Sequence, residues 1–183
     1  FIINGMEKNT MKELKNLVSV IKKIYKFQQP GKKALQKLVY LIEKKGVDLG
    51  YDFSIHYYGP YSSALDDSIH AMQLQGMVEI IPDGRNHRIC LTELSDMMGN
   101  DTFSQTDKQI IQSVLESFGS MNAYELELIT TTDFVARELF KLLEDCSDND
   151  IIEGVKKIKG EKFSNEKIKE AILLLKKNEY RWN

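Results

Sequence analysis

The sequence predicts a mainly α protein. A winged helix-turn-helix-like N-terminal half with a small antiparallel sheet is followed by a helical C-terminal half. Three observations carry that expectation. Apolar residues recur every three or four positions through most of the chain, the period of an amphipathic helix. Alternation of apolar and polar residues is confined to Phe53–Tyr58 and to the arms around Val78 and Leu91, which is strand patterning. The strongest turn signals, Gly59-Pro60 and Pro82-Asp83-Gly84, lie beside those stretches. Residues 1–98 are expected to form the winged-helix-like region and 99–183 a helical region packed on it, as two units or one continuous domain.

The elements follow in order. Leu14, Leu17, Val18, Ile21, Ile24 and Tyr25 mark a helix over 7–27, and Gln28-Gln-Pro-Gly31 breaks it. Leu35, Leu38, Val39 and Ile42 give 32–45 one apolar face, with Gly46 after it. An arm at 52–58 places Phe53, Ile55 and Tyr57 on one buried face and ends at Gly59-Pro60, where proline has no N–H to donate and glycine permits positive φ. Ser63 with Asp66 reads as the capping box of a helix carrying Leu65, Ile69 and Met72 and ending at Gly76. Met77–Thr92 reads as a hairpin.

Beyond it, Thr106 with Gln109 and Asn122 with Glu125 offer capped helix starts. Thr130-Thr-Thr132 is expected to interrupt the second of these, because β-branched residues resist helix continuation, and Asp133 to cap a new one. Asp145–Asp150 is a polar linker, Asn149 or Asp150 starts a short helix ending at Gly160, and Ser164 caps the last.

Totals bound the classes. With 42% apolar residues and no apolar run of 18 or more, the chain is expected to be globular, cytoplasmic and without a membrane span. The opening Phe1-Ile-Ile-Asn-Gly lacks a signal peptide's basic region and cleavage site. Cys90 and Cys146 read as reduced thiols. Charge is segregated: residues 1–45 hold 11 Lys and 3 Glu, 46–150 hold 5 basic and 19 acidic residues, and 151–183 hold 9 basic and 5 acidic. An acidic middle between basic ends implies pairing within the fold or steering of a charged partner.

The residues also carry a likeness. Leu35-Gln-Lys-Leu-Val-Tyr-Leu-Ile42, Gly50-Tyr-Asp-Phe53 and His56-Tyr-Tyr-Gly-Pro-Tyr-Ser62 together resemble the SocA-like antitoxin domain, also called Panacea, in its YwgA-like branch. Phe118–Leu126 and Lys157–Ser164 are similar to later segments of that pattern, so the resemblance spans roughly 30–180. It departs at Thr130-Thr-Thr-Asp133, where a histidine and Pro-Trp are common. The resemblance implies a winged-helix-like fold without catalytic machinery, serving as antitoxin or adaptor in a toxin–antitoxin type system.

Chemistry-bearing patterns are sparse. His56, His70 and His87 are dispersed, and neither a metal motif nor a phosphate-binding loop occurs, so no catalytic residue, metal or cofactor is expected. Pairing of the strands carrying His56 and Cys90 would bring a Cys–His dyad together. The preferred expectation is a protein partner, a toxin or a protease or adaptor component. It is held by Tyr58, Tyr61, Asp66, Asp67 and His70, an aromatic cluster beside an acidic helix. The alternative is DNA, met by Arg85 and Arg88 in the wing with Lys32 and Lys33. Against it, the helix in the recognition position leads with Asp66 and Asp67 and holds no Lys or Arg.

Overall fold

A computed structural model describes residues 2–183, with side chains from residue 10 onward. The order is α1 (Ile2–Ile24), α2 (Lys32–Lys44), β1 (Ser54–His56), β2 (Gly59–Tyr61), α3 (Ser63–Leu74), β3 (Val78–Asp83), β4 (Asn86–Leu91), α4 (Gln105–Phe118), α5 (Ala123–Leu142), α6 (Asp148–Lys159) and α7 (Asn165–Lys177). Short 3-10 turns cover Glu93–Met98 and Gly160–Lys162. The chain is mainly helical with two small antiparallel sheets, and the described part of 105–180 contains no strand.

Two helices form the centre. Every residue of α2 from Ala34 to Ile42 is buried, Gln36 and Lys37 included, so the single apolar face expected for 32–45 is instead a helix enclosed all round. Along α5 everything from Leu126 to Asp133 is buried. The threonines do not interrupt it. The hydroxyls of Thr130 and Thr132 donate back to the carbonyls of Leu126 and Leu128 at 2.7 Å, which satisfies them inside the helix. Asp133 caps nothing. Fully buried, its carboxylate accepts from the Tyr40 hydroxyl, Arg137 Nε and Trp182 Nε1 at 2.7–2.8 Å. Burial and the adjacent Asp133 push the Tyr40 hydroxyl pKa well above its usual value.

Two helix starts match expectation and three fall earlier. Asn122 with Glu125 forms the expected capping box and Ser164 caps α7. For α3 the cap is Ser62, not Ser63, because Gln36 holds the Ser62 backbone extended by accepting from its N–H and donating to its carbonyl. For α4 the box is Ser104 with Asp107 rather than Thr106 with Gln109, which sets a carboxylate on the positive end of the helix. For α6 it is Ser147 with Asp150.

The arm and the hairpin do not share a sheet. Gly59-Pro60 does not stop the arm. It turns the chain back as β2, pairing Ile55 with Pro60 and His56 with Gly59. Pro60 is tolerated because β2 has a neighbour on one side only. Tyr57 therefore falls in the turn and is 82% exposed, whereas Phe53 and Ile55 are half-buried. The second hairpin turns at Gly84-Arg85. Its inner strand is tied to the α1–α2 connection by a bridge between Gly31 and Arg88 and by Ile89 N–H donating to Pro30.

Candidate functional site

The α2 motif and the Tyr-Gly-Pro arm prove to be one structural unit. Gln36 holds Ser62, Lys37 Nζ donates to the Pro60 carbonyl at 2.5 Å, and Tyr40 meets Phe53 edge-on at 5.3 Å. From beneath, α5 packs against Gly59. A Cβ there would lie 2.8 Å from Thr131 Oγ1, and φ is +91°, so the position excludes a side chain on two counts. The Lys159 ammonium, arriving from α6, donates to the Tyr57 carbonyl. The tip, Tyr57-Tyr58, is thus presented on a clamped base. The two rings pack edge to face at 4.8 Å, and the Lys33 ammonium lies 3.6 Å from the centre of the Tyr58 ring, within cation–π range.

A cleft of about 550 Å³ opens between this tip, the first turns of α2 and the end of the β3–β4 hairpin. It gathers residues nominated for two different partners. Tyr58, Tyr61 and Asp66 line it, and so do Lys32, Lys33, Arg85 and Arg88. Asp67 and His70 do not. Asp67 is exposed on α3, while His70 Nδ1 sits 3.4 Å from Asp66. Tyr61 stacks on His56 at 4.8 Å. Asp66 is spoken for by Lys32 at 3.3 Å and Asp83 by Arg88 at 3.5 Å. Of the two carboxylates expected to face a partner, Asp66 is therefore already paired within the fold, and Lys33, Lys37 and Arg85 are left in surplus over the acids lining the cleft.

Sequence reasoning missed the buried polar layer under the tip. Glu127, 4% exposed, accepts from Lys162 and Lys159 at 2.8 Å. Lys37, 3% exposed, is pushed down to about 8 by burial, against the pull of Glu127. The signal available was the Leu35-Gln-Lys-Leu-Val-Tyr40 motif itself, which sets Gln36 and Lys37 inside an otherwise apolar run. The dyad does not form. His56 and Cys90 lie on separate sheets, His56 beside Ser54 and Cys90 accepting from Gln29. Among the described residues no group of three or more His, Cys, Asp or Glu could hold a metal, and no helix is long and apolar enough to cross a membrane.

Comparison with known proteins agrees with this unit. The family model "Antitoxin SocA-like, Panacea domain" matches residues 35–133, from the start of the α2 motif to Asp133. The uncharacterized protein YwgA of Bacillus subtilis (strain 168) is 25% identical over 146 residues, covering 78% of this chain and 82% of that protein.

Proposed function

The chain belongs to the SocA-like antitoxin, Panacea domain family, and from that premise we propose that it is a non-catalytic protein-binding module. It acts as antitoxin or adaptor in a toxin–antitoxin type system, and its partner docks on the Tyr57-Tyr58 tip and the cleft beside it. The observation that carries this reading is the exposure of two adjacent tyrosines on a clamped hairpin. Tyr57 is 82% and Tyr58 44% exposed, and two adjacent tyrosines offer large contact area with polar tips at low entropy cost. Because the base is held by α2, α5 and α6, binding would cost little ordering entropy. Central aromatic anchors are worth about 2 kcal/mol or more on truncation. With the product of a neighbouring gene as partner, Tyr57→Ala/Tyr58→Ala should weaken binding at least tenfold while leaving the thermal midpoint unchanged. Undiminished affinity would refute the docking face.

A second reading is favoured by one observation. All four residues nominated for DNA line the same cleft, which would set four cations together against phosphates. In that reading Arg85→Ala/Arg88→Ala abolishes a salt-sensitive complex with the chain's own promoter fragment, and the tyrosine variant does not.

A further inference from the structure

We propose that the recess beneath Tyr58 is an oxyanion-binding site, in which Lys33, Lys37 and Lys162 hold a carboxylate or phosphate group. The recess is about 180 Å³ and shares Lys33, Lys37 and Tyr58 with the larger cleft, adding Glu127 and Lys162. Its volume is several times the roughly 30 Å³ share of one liquid water.

Charge balance carries the proposal. Four ammonium groups, on Lys33, Lys37, Lys159 and Lys162, converge on this layer, and Glu127 is the carboxylate among them. Lys159 and Lys162 both use Glu127. Lys33 rests on the ring of Tyr58, a weak acceptor. Lys37 is the telling member. Its ammonium has three donors, and its hydrogen-bond acceptor is a single carbonyl, that of Pro60. A 3% exposed lysine with donors to spare, lining a recess with two further lysines, is costly to keep. An oxyanion seated there supplies the missing acceptors and the missing charge together. The alternatives within the fold are already committed: Asp66 to Lys32 and Asp83 to Arg88. The proposal does not depend on the protein-partner reading, because it concerns a group small enough to enter the recess alone.

The test follows the side-chain resonances of Lys37 by NMR. Orthophosphate and malonate are titrated in separate arms, each balanced against chloride at constant ionic strength. The expected result is a saturating shift in at least one arm, with affinity weakened five- to tenfold in Lys33→Gln and again in Lys162→Gln. Both side chains are partly exposed, so these variants keep the fold, which a thermal melt verifies. Saturation by phosphate alone assigns a phosphoryl ligand, and by malonate alone a carboxylate ligand. A linear shift equal to that in chloride in both arms overturns the proposal. So does saturation that neither variant weakens.

Discussion

The two hairpins differ in what lies behind them. β1–β2 is the shorter, three residues to a strand, yet its base is fixed by buried groups from three helices. β3–β4 has six residues to a strand, and positions 81–88 are all exposed. It is secured by backbone ties along β4, where Arg88 bridges to Gly31 and Ile89 N–H donates to Pro30, and at its root, where the Tyr25 hydroxyl donates to the Ile89 carbonyl and accepts from Leu91 N–H, and Thr92 closes on Met77. Length and pairing therefore do not decide how well each turn is supported. What decides it is whether the turn sits over packed side chains or over water. A clamped short hairpin suits a fixed contact surface, and a long free one suits adjustment to a partner.

Valine at the glycine of each turn should separate the two most strongly. Gly59→Val meets both positive φ and Thr131 Oγ1 at 2.8 Å and should destabilise by roughly 3 kcal/mol, strain and overpacking adding together. Gly84→Val, at φ +60° with nothing within 4 Å, should cost only about 1 kcal/mol. Urea unfolding of both variants checks this. Equal losses would erase the distinction between the hairpins.

Next in size is the pH dependence set by Lys37. Its folded pKa is lowered from 10.5 to about 8, chiefly by burial. Between those values the unfolded chain holds a proton that the folded chain has released, so stability rises with pH there. Below about pH 8 the full cost of the buried charge is present, on the order of 3 kcal/mol. Relative to Lys37→Met, the wild type should therefore gain stability from pH 7 to pH 10 in buffer free of phosphate and carboxylates. A gap between the two that stays constant across that range would show that the ammonium is not desolvated.

The smallest effect belongs to the free hairpin. Arg85→Ala/Arg88→Ala removes one exposed ion pair, Arg88 with Asp83, and should change stability by less than about 0.5 kcal/mol. A larger loss in denaturant unfolding would mean that these two side chains hold the hairpin beyond its backbone ties to Gly31 and Pro30.

How much of this was legible in the sequence follows the same divide. Helices with three-to-four spacing, the Pro-Asp-Gly turn and the caps at Asn122 and Ser164 were readable because each is local. Gly59, whose φ of +91° is a finding of the structure, was readable as a turn residue. The β1–β2 hairpin was not, since Pro60 reads as a stop unless one knows that its strand lies at an edge. Tyr57 consequently moved from core to surface. Thr130-Thr-Thr132 misled because propensity was outweighed by burial, with backbone carbonyls satisfying two of the three hydroxyls. The candidate site was half legible. Tyr58, Tyr61, Lys32, Lys33, Arg85 and Arg88 were nominated as rivals and turned out to be neighbours. Lys37, Glu127 and Lys162 carry no periodic signature, because what matters about them is which distant segment each one meets.

The buried carboxylate of Asp133 also has a history in time. Tyr40 and Arg137 reach it from α2 and α5, but the Trp182 indole comes from 49 residues further on. Both central helices precede that tryptophan in the chain, so it is the last of the three donors to be synthesised. Until it arrives, one lone-pair site of an ion in the middle of the protein has no donor from the chain. Docking of the segment that carries Trp182 is thus what completes the donor set of this buried ion.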